Sequence, residues 1–271
     1  MKLCVLGSGS RGNAVLIQSG KTRILIDAGF GPRTIAKRLL SVGVNPSSIE
    51  AVVLTHEHID HSKGVRAGAA RWGWRVFATR GTHKGCESLA AQGVETLLAN
   101  QVLRVGEVEI FPVSTSHDAT EPVAVIATDS TSGVRAGIVY DLGVMSEGVQ
   151  RAVEGVEILV IESNHDGEML RNGPYPAMLK RRIAGNHGHL SNRAAGAGAA
   201  TCAHRGLTHV VLAHLSETNN TPRVAIDAMR RALGRTAFAG RIVAAQQDVP
   251  SRVVGAGRSR SFSAVQLSLG L

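Results

Sequence analysis

The sequence predicts an α/β fold, which some schemes would class as α+β. Short β-branched runs joined by tight turns dominate its first part, and strand-like and helix-like segments alternate later with no low-complexity linker between them. The chain has 271 residues, of which 44% are hydrophobic, so it can bury a sizeable core in one large domain or two small ones.

The predicted strands are short apolar runs bounded by turn residues. Before the midpoint of the chain they dominate and indicate hairpins, and after it they alternate with helices. In chain order they cover residues 2–6, 14–18, 23–27, 51–55, 108–113, 123–127, 137–140, 158–162, 209–213 and 241–244.

The predicted helices are longer segments whose apolar residues recur every three or four positions. They cover residues 31–42, 64–72, 81–92, 145–153, 176–183, 192–204 and 222–233. From Arg252 to Ser263 the chain is rich in Gly, Ser and Arg, which is typical of a loose C-terminal tail.

Composition bears on partners and compartment. Lys and Arg number 30 against 21 Asp and Glu, and the net charge of +9 favours a polyanionic partner, although a basic surface is often only a solubility device. The three cysteines lack C-x-x-C spacing, so disulfides are not expected, as in a reducing cytosol. With no N-terminal signal and no run of the ~20 apolar residues that a membrane span needs, the sequence predicts a cytoplasmic protein without a membrane partner.

A glycine-rich stretch near the N-terminus, Gly7-Ser-Gly-Ser-Arg-Gly12, has the spacing of a dinucleotide-binding loop, and Asp27 lies twenty positions beyond Gly7. In a dinucleotide-binding fold the third glycine opens a helix that receives the pyrophosphate. Here two β-branched runs and a tight turn follow, which predicts a hairpin. A G-x-G-x-x-G pattern without a helix behind it is weak evidence for a nucleotide cofactor.

The segment Val52-Val-Leu-Thr-His-Glu-His-Ile-Asp-His61 carries the strongest chemical signal. A buried strand is predicted to end at Thr55, and ligand-type residues follow in the loop at its carboxyl end. Imidazole and carboxylate groups suit zinc, manganese or iron. His56 and His58 alternate on one side of an extended segment, whereas Asp60 and His61 begin the next turn. The segment therefore predicts two neighbouring metal sites rather than a solvated histidine cluster.

Further ligand-type residues follow other predicted strands: His117, Asp141 and His214. Taken singly, each would more often be a structural polar residue. Together with the His56–His61 segment they complete two sets of ligands. The predicted sets are His56, His58 and His117 for one ion, Asp60, His61 and His214 for the other, and Asp141 as a bridge.

These residues, in this order, resemble the ligand pattern of the metallo-β-lactamase-fold hydrolases, and Ile24-Leu-Ile-Asp27-Ala-Gly resembles their first motif. The resemblance covers residues 1 to about 250. It implies a four-layer αβ/βα sandwich with two mixed β-sheets over residues 1–250, a tail over 251–271, and two divalent ions. It also implies that Asp27 supports the metal-binding loop without touching a metal, so no nicotinamide or flavin is expected.

Less common stretches are similar to the YycJ/WalJ-type subfamily, which is associated with 5′→3′ exonuclease activity on DNA. They are Ser8-Gly-Ser-Arg-Gly-Asn13, Glu162-Ser-Asn-His-Asp166, Gly188-His-Leu-Ser-Asn192 and His214-Leu-Ser-Glu-Thr-Asn-Asn-Thr-Pro222. Gly188-His-Leu-Ser also occupies the place of a Gly-His-Ser-Thr motif in the more distant RNase Z. That likeness implies that His189, paired with Glu162, assists proton transfer, although Ser191 and Asn192 could equally make this segment a helix cap.

The resemblance implies a binuclear metal-dependent phosphodiester hydrolase, a nuclease that uses a metal-bridging hydroxide. The alternatives are a hydrolase of a small substrate (a cyclic phosphodiester, thioester or lactone) and a non-catalytic module that keeps the fold. The basic charge favours nucleic acid, and the oligomeric state stays open. The predicted catalytic residues are Asp60, Glu162 and His189, and the predicted substrate-binding residues are Ser8, Ser10, Asn13, Asn164 and Asn192.

Overall fold

The computed structural model describes residues 1–89 and 93–257, which form two β-sheets packed face to face. Helices cover the outer surface of each sheet and produce four layers in the order helix, sheet, sheet, helix. The predicted four-layer sandwich with two mixed β-sheets is confirmed.

The strands are, in chain order, β1 (Lys2–Gly7), β2 (Ala14–Ser19), β3 (Thr22–Ile26), β4 (Ala51–Val53), β5 (Arg75–Ala78), β6 (Val94–Thr96), β7 (Leu103–Val105), β8 (Val108–Ser114), β9 (Val123–Asp129), β10 (Arg135–Val139), β11 (Ile158–Glu162), β12 (His209–Ala213), β13 (Arg241–Ala244) and β14 (Val254–Gly255). The helices are α1 (Pro32–Ser41), α2 (Ile59–Ser62), α3 (Val65–Trp72), α4 (Arg80–Gly85), α5 (Glu147–Ala152), α6 (Gly167–Asn172), α7 (Ala177–Ile183), α8 (Asn192–Thr201) and α9 (Pro222–Leu233).

In each of the two sheets, one half is antiparallel and the other half is parallel. The first has the strand order β14-β1-β2-β3-β4-β5-β6, antiparallel up to β3 and parallel from β3 onward. The second has the order β13-β12-β11-β10-β9-β8-β7, parallel from β13 to β10 and antiparallel beyond. Parallel strands end at a common edge of their sheet, which is where open α/β sheets bind ligands. The loops after β3, β4, β10, β11 and β12 are therefore placed to share one site.

Apolar side chains hold the layers together. Ile24 and Val160, from different sheets, are fully buried in the cluster between the sheets. On the outside, Leu39 of α1 packs on the first sheet and Met229 of α9 on the second. The Ala- and Gly-rich α8 lets α9 approach closely, because a Cβ on its Gly196 would lie 2.8 Å from an alanine Cβ of α9. The regularly spaced apolar residues of the helices thus form the faces that pack against the two sheets.

Three residues at the carboxyl ends of strands have a left-handed backbone. Asp27 follows β3 with φ +59°, Asp141 lies beyond β10 with φ +54°, and His214 follows β12 with φ +52°. Such a φ is uncommon outside glycine and costs of order 1–3 kcal/mol, although Asp, Asn and His tolerate it best. The chain changes direction at each of these three residues. Each strained residue is one that the sequence places in the predicted metal site or in support of it.

Every predicted strand overlaps an observed one, but the sequence missed β5, β6, β7 and β14. These strands have two to four residues, too few to show a period. The predicted preponderance of hairpins before the midpoint was wrong in part, because β3 to β6 are parallel and helices lie in the connections between them. The predicted helix 81–92 is broken after Gly85 by a 3₁₀ turn, and its residues 90–92 lie outside the described residues.

The first sheet includes residues beyond the predicted domain boundary at residue 250. β14 pairs with β1 through Leu3 and Val254, and the side chain of Val254 is buried between the sheets. The remainder of the predicted tail, residues 258–271, lies outside the described residues. Among the helices of residues 1–89 and 93–257, none has the length and apolar character needed to cross a membrane.

We predict that Gly29→Ala destabilises the protein and that Gly31→Ala does not. A Cβ on Gly29 would lie 1.6 Å from the carbonyl oxygen of Asp60, whereas a Cβ on Gly31 would meet nothing within 4 Å. Overpacking of this kind costs about 1–3 kcal/mol, and we expect less than about 1 kcal/mol at Gly31. Chemical denaturation measures both free energies of unfolding. Equal stability of the two variants would contradict the packing of Gly29 against the Asp60 loop.

Candidate metal centre

The ligand-type residues predicted from the sequence converge where strands of both sheets end. The loop after β4 carries His56 and His58, and its continuation into α2 carries Asp60 and His61. The second sheet supplies the other residues at or beyond the ends of β8, β10, β11 and β12: His117, Asp141, Glu162 and His214. Neither sheet alone holds a complete set.

The first group consists of His56, His58 and His117, whose ligand atoms can lie within 4.8 Å of one another. Each imidazole has one nitrogen engaged elsewhere: His117 donates from Nδ1 to the carbonyl of Gly188 (3.1 Å), and His58 donates from Nε2 to the carbonyl of Asp118 (3.2 Å). His56 donates from Nδ1 to Thr55 Oγ1 (3.0 Å). The remaining nitrogens are left for a cation, and one of them, His117 Nε2, also lies 3.3 Å from Asp118 Oδ1.

The second group consists of Asp60, His61 and His214, also within 4.8 Å of one another. His61 Nε2 lies 3.4 Å from Asp60 Oδ2 and 2.7 Å from Asp141 Oδ2. His214 Nε2 lies 3.5 Å from Asp60 Oδ2. Asp141 also forms a group with His56 and His61, so its carboxylate lies between the first group and the second.

The donor atoms fit a cation. His56 Nε2 and His214 Nε2 are buried, and within the described part of the chain they have no hydrogen-bond partner. Buried polar groups are almost always paired, since an unpaired one costs free energy. Imidazole nitrogens and carboxylate oxygens in these numbers are a common ligand set for zinc and related ions.

Asp27 lies beneath both groups and is fully buried. Its Oδ1 accepts from the amide of Thr55 (2.8 Å), and its Oδ2 accepts from Thr55 Oγ1 (2.7 Å), His61 Nδ1 (2.7 Å) and the hydroxyl of Tyr140 (2.8 Å). Thr55 in turn accepts from His56, so Asp27 orients one histidine of each group. This geometry matches the supporting role implied for Asp27, but the sequence did not single out Thr55 or Tyr140.

The glycine-rich loop contacts residues of the second group. Asn13 is fully buried; its Oδ1 accepts from Ser8 Oγ (2.8 Å), and its Nδ2 lies 3.3 Å from Asp60 Oδ2. Ser8 Oγ also accepts from the amide of His214 (2.8 Å), which ties the loop to the end of β12. Ser8 and Asn13 are thus engaged with neighbours of the metal groups, and their assignment to substrate stays a prediction.

The other predicted substrate-binding residues differ in their surroundings. Asn192 is buried and accepts from Ser163 Oγ (2.6 Å). Ser10 and Asn164 line a cavity of about 410 Å³ that opens over the metal groups. Asp60, Asp141 and His189 line the same cavity, together with His58, His117 and His214.

Glu162 and His189 form a pair at this cavity. Glu162 is fully buried, accepts from His189 Nδ1 (2.7 Å) at Oε1, and receives the amides of Leu142 (3.1 Å) and Leu190 (3.0 Å) at Oε2. Its Oε1 also lies 3.2 Å from His214 Nδ1. Glu162 therefore holds His189 with Nε2 as the nitrogen left for the cavity.

Burial and neighbouring charges shift the pKa values of the histidines in opposite directions. Burial holds the pKa of His56 well below its usual value, which keeps the imidazole neutral as a metal ligand must be. Burial also opposes the charged form of His189, but Glu162 and Asp141 outweigh it and raise the pKa of His189 to about 11. Asp141 and Asp60 similarly raise the pKa of His214 to about 9 against burial. The carboxylates thus concentrate negative charge where a cation would bind.

Comparison with known proteins agrees with this geometry. Residues 7–141 match the family described as the metallo-beta-lactamase superfamily. The chain is 30% identical over 239 residues to exodeoxyribonuclease YycJ of Bacillus anthracis, covering 86% of this chain and 89% of the relative. It is 31% identical over 231 residues to exodeoxyribonuclease WalJ of Streptococcus pneumoniae serotype 2 (strain D39 / NCTC 7466), covering 83% of this chain and 85% of the relative.

Among solved structures, the metallo-beta-lactamase fold protein YhfI from Bacillus subtilis superimposes with a TM-score of 0.72. The match covers 92% of this chain and 98% of YhfI at 18% sequence identity, so it supports the fold alone. The sequence relatives span nearly the whole chain, including the loops that carry Glu162, His189 and His214. The chain therefore belongs to the metallo-β-lactamase superfamily and, within it, to the YycJ/WalJ-type subfamily.

Proposed function

We propose that the protein is a binuclear metal-dependent phosphodiester hydrolase that acts as a 5′→3′ exonuclease on DNA. The observation that carries the proposal is the arrangement of two ligand groups around Asp141, beside His189, which lines the same cavity and is held by the buried Glu162. The relatives named exodeoxyribonuclease and the net charge of +9 support a polyanionic substrate. The proposed compartment is the cytoplasm, which fits three buried cysteines without C-x-x-C spacing.

In this proposal His56, His58 and His117 hold one ion, Asp60, His61 and His214 hold the other, and Asp141 bridges them. Two bound divalent ions would supply Lewis acidity to the phosphate and lower the pKa of water. Zinc, manganese and iron all accept this set of nitrogen and oxygen ligands. Asp27 and Asn13 orient the ligands, and Asp27 stays out of contact with substrate.

The chain's own residues provide the remaining functions. Phosphodiester cleavage needs a proton for the departing oxygen, and a charged histidine is a suitable donor. The Glu162 carboxylate favours the charged form of His189, and the hydrogen bond from Nδ1 to Glu162 leaves Nε2 to donate. Asp60, whose carboxylate faces the cavity, accepts a hydrogen bond from the attacking water.

A hydrolase of a small substrate is the second candidate, because a cavity of about 410 Å³ lies in the range of small-molecule sites. Assays with 5′-labelled and 3′-labelled DNA, supplemented with zinc, manganese or iron, separate the two candidates. We expect mononucleotides to be released from the 5′ end and DNA binding to weaken steeply with salt. Hydrolysis of a thioester or a cyclic phosphodiester without any cleavage of DNA would contradict the nuclease.

We predict that Asp141→Asn reduces the metal content to one ion or none per chain. Asparagine tolerates the left-handed backbone at φ +54°, so the substitution removes the charge without adding strain. Metal analysis after dialysis measures the stoichiometry, and the melting temperature checks the fold. Two tightly held ions per chain in this variant would show that Asp141 is not a bridge.

We predict that His189→Ala retains both ions, because His189 is outside the proposed ligand sets. Activity on phosphodiesters with poor leaving groups should fall about 10²–10⁴-fold, the usual contribution of general-acid catalysis. A nitrophenolate leaving group departs without a proton, so the loss on such an ester should be much smaller. The comparison of kcat values on the two substrates measures the contrast.

His187→Ala is the matched control, since His187 is exposed and its Nδ1 contacts Ser116 Oγ (3.2 Å). This variant should keep kcat on both esters within about threefold of the wild-type value, as is usual for exposed side chains. Equal losses on both esters in His189→Ala, or loss of metal, would assign His189 to the scaffold or to a metal.

A further inference from the structure

One wall of the cavity is formed by α7 and the residue that precedes its cap. Leu179, Arg182 and Ile183 line the cavity from positions three and four apart, so they share one face of the helix, and Tyr175 continues this surface. No residue of α7 is buried in the protein core. This face therefore brings an aromatic ring, two aliphatic side chains and a guanidinium to the cavity that the metal groups also line.

Arg182 is held in place by a neighbour of the metal ligands. Its Nε donates to Asp118 Oδ2 (2.8 Å), its Nη2 also donates to this oxygen, and Asp118 Oδ1 lies 3.3 Å from His117 Nε2. A guanidinium has five N–H donors, so the pairing with Asp118 leaves donors for another anion. Arg182 is thus a pre-oriented cation beside the first ligand group.

The remaining lining of the cavity includes polar side chains. Ser10, Ser216 and Thr218 contribute hydroxyl groups, and the hydroxyl of Tyr175 donates to Thr218 Oγ1 (3.2 Å). Glu217 also lines the cavity, and its carboxylate is paired with Arg11 (2.8 Å). The cavity therefore combines apolar side chains and a cation with hydrogen-bonding groups.

We propose that this face of α7 binds the nucleotide next to the bond that is cut. The surface of Tyr175, Leu179 and Ile183 takes its base, and Arg182, held by Asp118, takes its phosphate. Aromatic stacking is the usual way in which proteins hold an unpaired base without reading its identity, and Arg matches phosphate geometry with paired donors. The inference rests on the proposed nuclease function and adds that the enzyme prefers a polynucleotide to an isolated phosphodiester.

The test compares Arg182→Ala with Arg181→Ala, which removes the same charge one position away, from an exposed side chain that is not part of the cavity wall. We expect Arg182→Ala to lower kcat/KM on an end-labelled oligodeoxynucleotide about 10- to 100-fold, the loss typical of a hydrogen bond to a charged group. The loss on bis(p-nitrophenyl) phosphate should be much smaller. Arg181→Ala should lower kcat/KM on the oligodeoxynucleotide by less than about threefold.

Variants of Tyr175 test whether this side chain stacks on the base of the bound nucleotide. Tyr175→Ala should lower kcat/KM about 5- to 100-fold on a strand with a normal terminal nucleotide, as expected for lost stacking, and Tyr175→Phe should retain activity. On a strand that ends in an abasic residue, Tyr175→Ala should match the wild type. Oligodeoxynucleotide binding by fluorescence anisotropy, with metal chelated so that the strand stays intact, should show the same order of variants.

The outcomes separate this inference from the proposed function. A wild-type protein that cleaves DNA, with Arg182→Ala equal to Arg181→Ala or with losses that are the same on all substrates, would overturn the role of α7 alone. A wild-type protein that cleaves bis(p-nitrophenyl) phosphate but no nucleic acid would overturn both.

Discussion

The metal centre depends on one buried carboxylate. Asp27 accepts hydrogen bonds from His61 and, through Thr55, orients His56, so it sets the free nitrogen of one histidine in each group. Tyr140, the residue before Asp141, donates to the same oxygen. Outer contacts of this kind are known to set the tautomer and orientation of metal-binding histidines. Asp27 therefore links strand ends of both sheets by hydrogen bonds, and in doing so it fixes the orientation of the ligands.

The fold explains why such a centre can be assembled. The parallel halves of the two sheets end at the same edge of the sandwich, where β3 and β4 from one sheet meet β10, β11 and β12 from the other. Left-handed turns at Asp27, Asp141 and His214 redirect the chain at this edge. Hydrogen bonds fix the side chains of Asp27 and His214, and histidines from both sheets surround the Asp141 carboxylate, so the strain persists. The apolar core on either side of the sheets supplies the stability that offsets it.

Much of the fold and the ligand-type residues could be predicted from the sequence, and the reasons are physical. A buried strand followed by His56, His58, Asp60 and His61 combines two signals that rarely coincide, and the other ligand-type residues follow apolar runs that are equally clear. The short strands β5, β6 and β7 could not be predicted, because their pairing partners define them more than their own three or four residues do.

The roles of supporting residues were the harder part. Ser8 and Asn13 lie in a glycine-rich loop of the kind that approaches ligands, but the loop folds inward onto Asp60 and the amide of His214, a tertiary contact with no local signal. The pairing of Arg182 with Asp118 likewise joins residues 64 positions apart. What the sequence shows is which residues have the chemistry. What the structure adds is which of them reach the cavity and which hold the others in place.

The most direct test of this account is the metal affinity of Asp27→Asn, measured by competition with a chelator. Asparagine tolerates φ +59° but replaces one carboxylate oxygen by an amide, so the contacts to Thr55 and His61 cannot all be kept. We expect affinity to fall about 10- to 100-fold, the usual cost of losing an outer contact to a metal ligand. Asp129→Asn, at the far end of β9, should bind metal like the wild type. Unchanged affinity in Asp27→Asn would contradict the central role of Asp27.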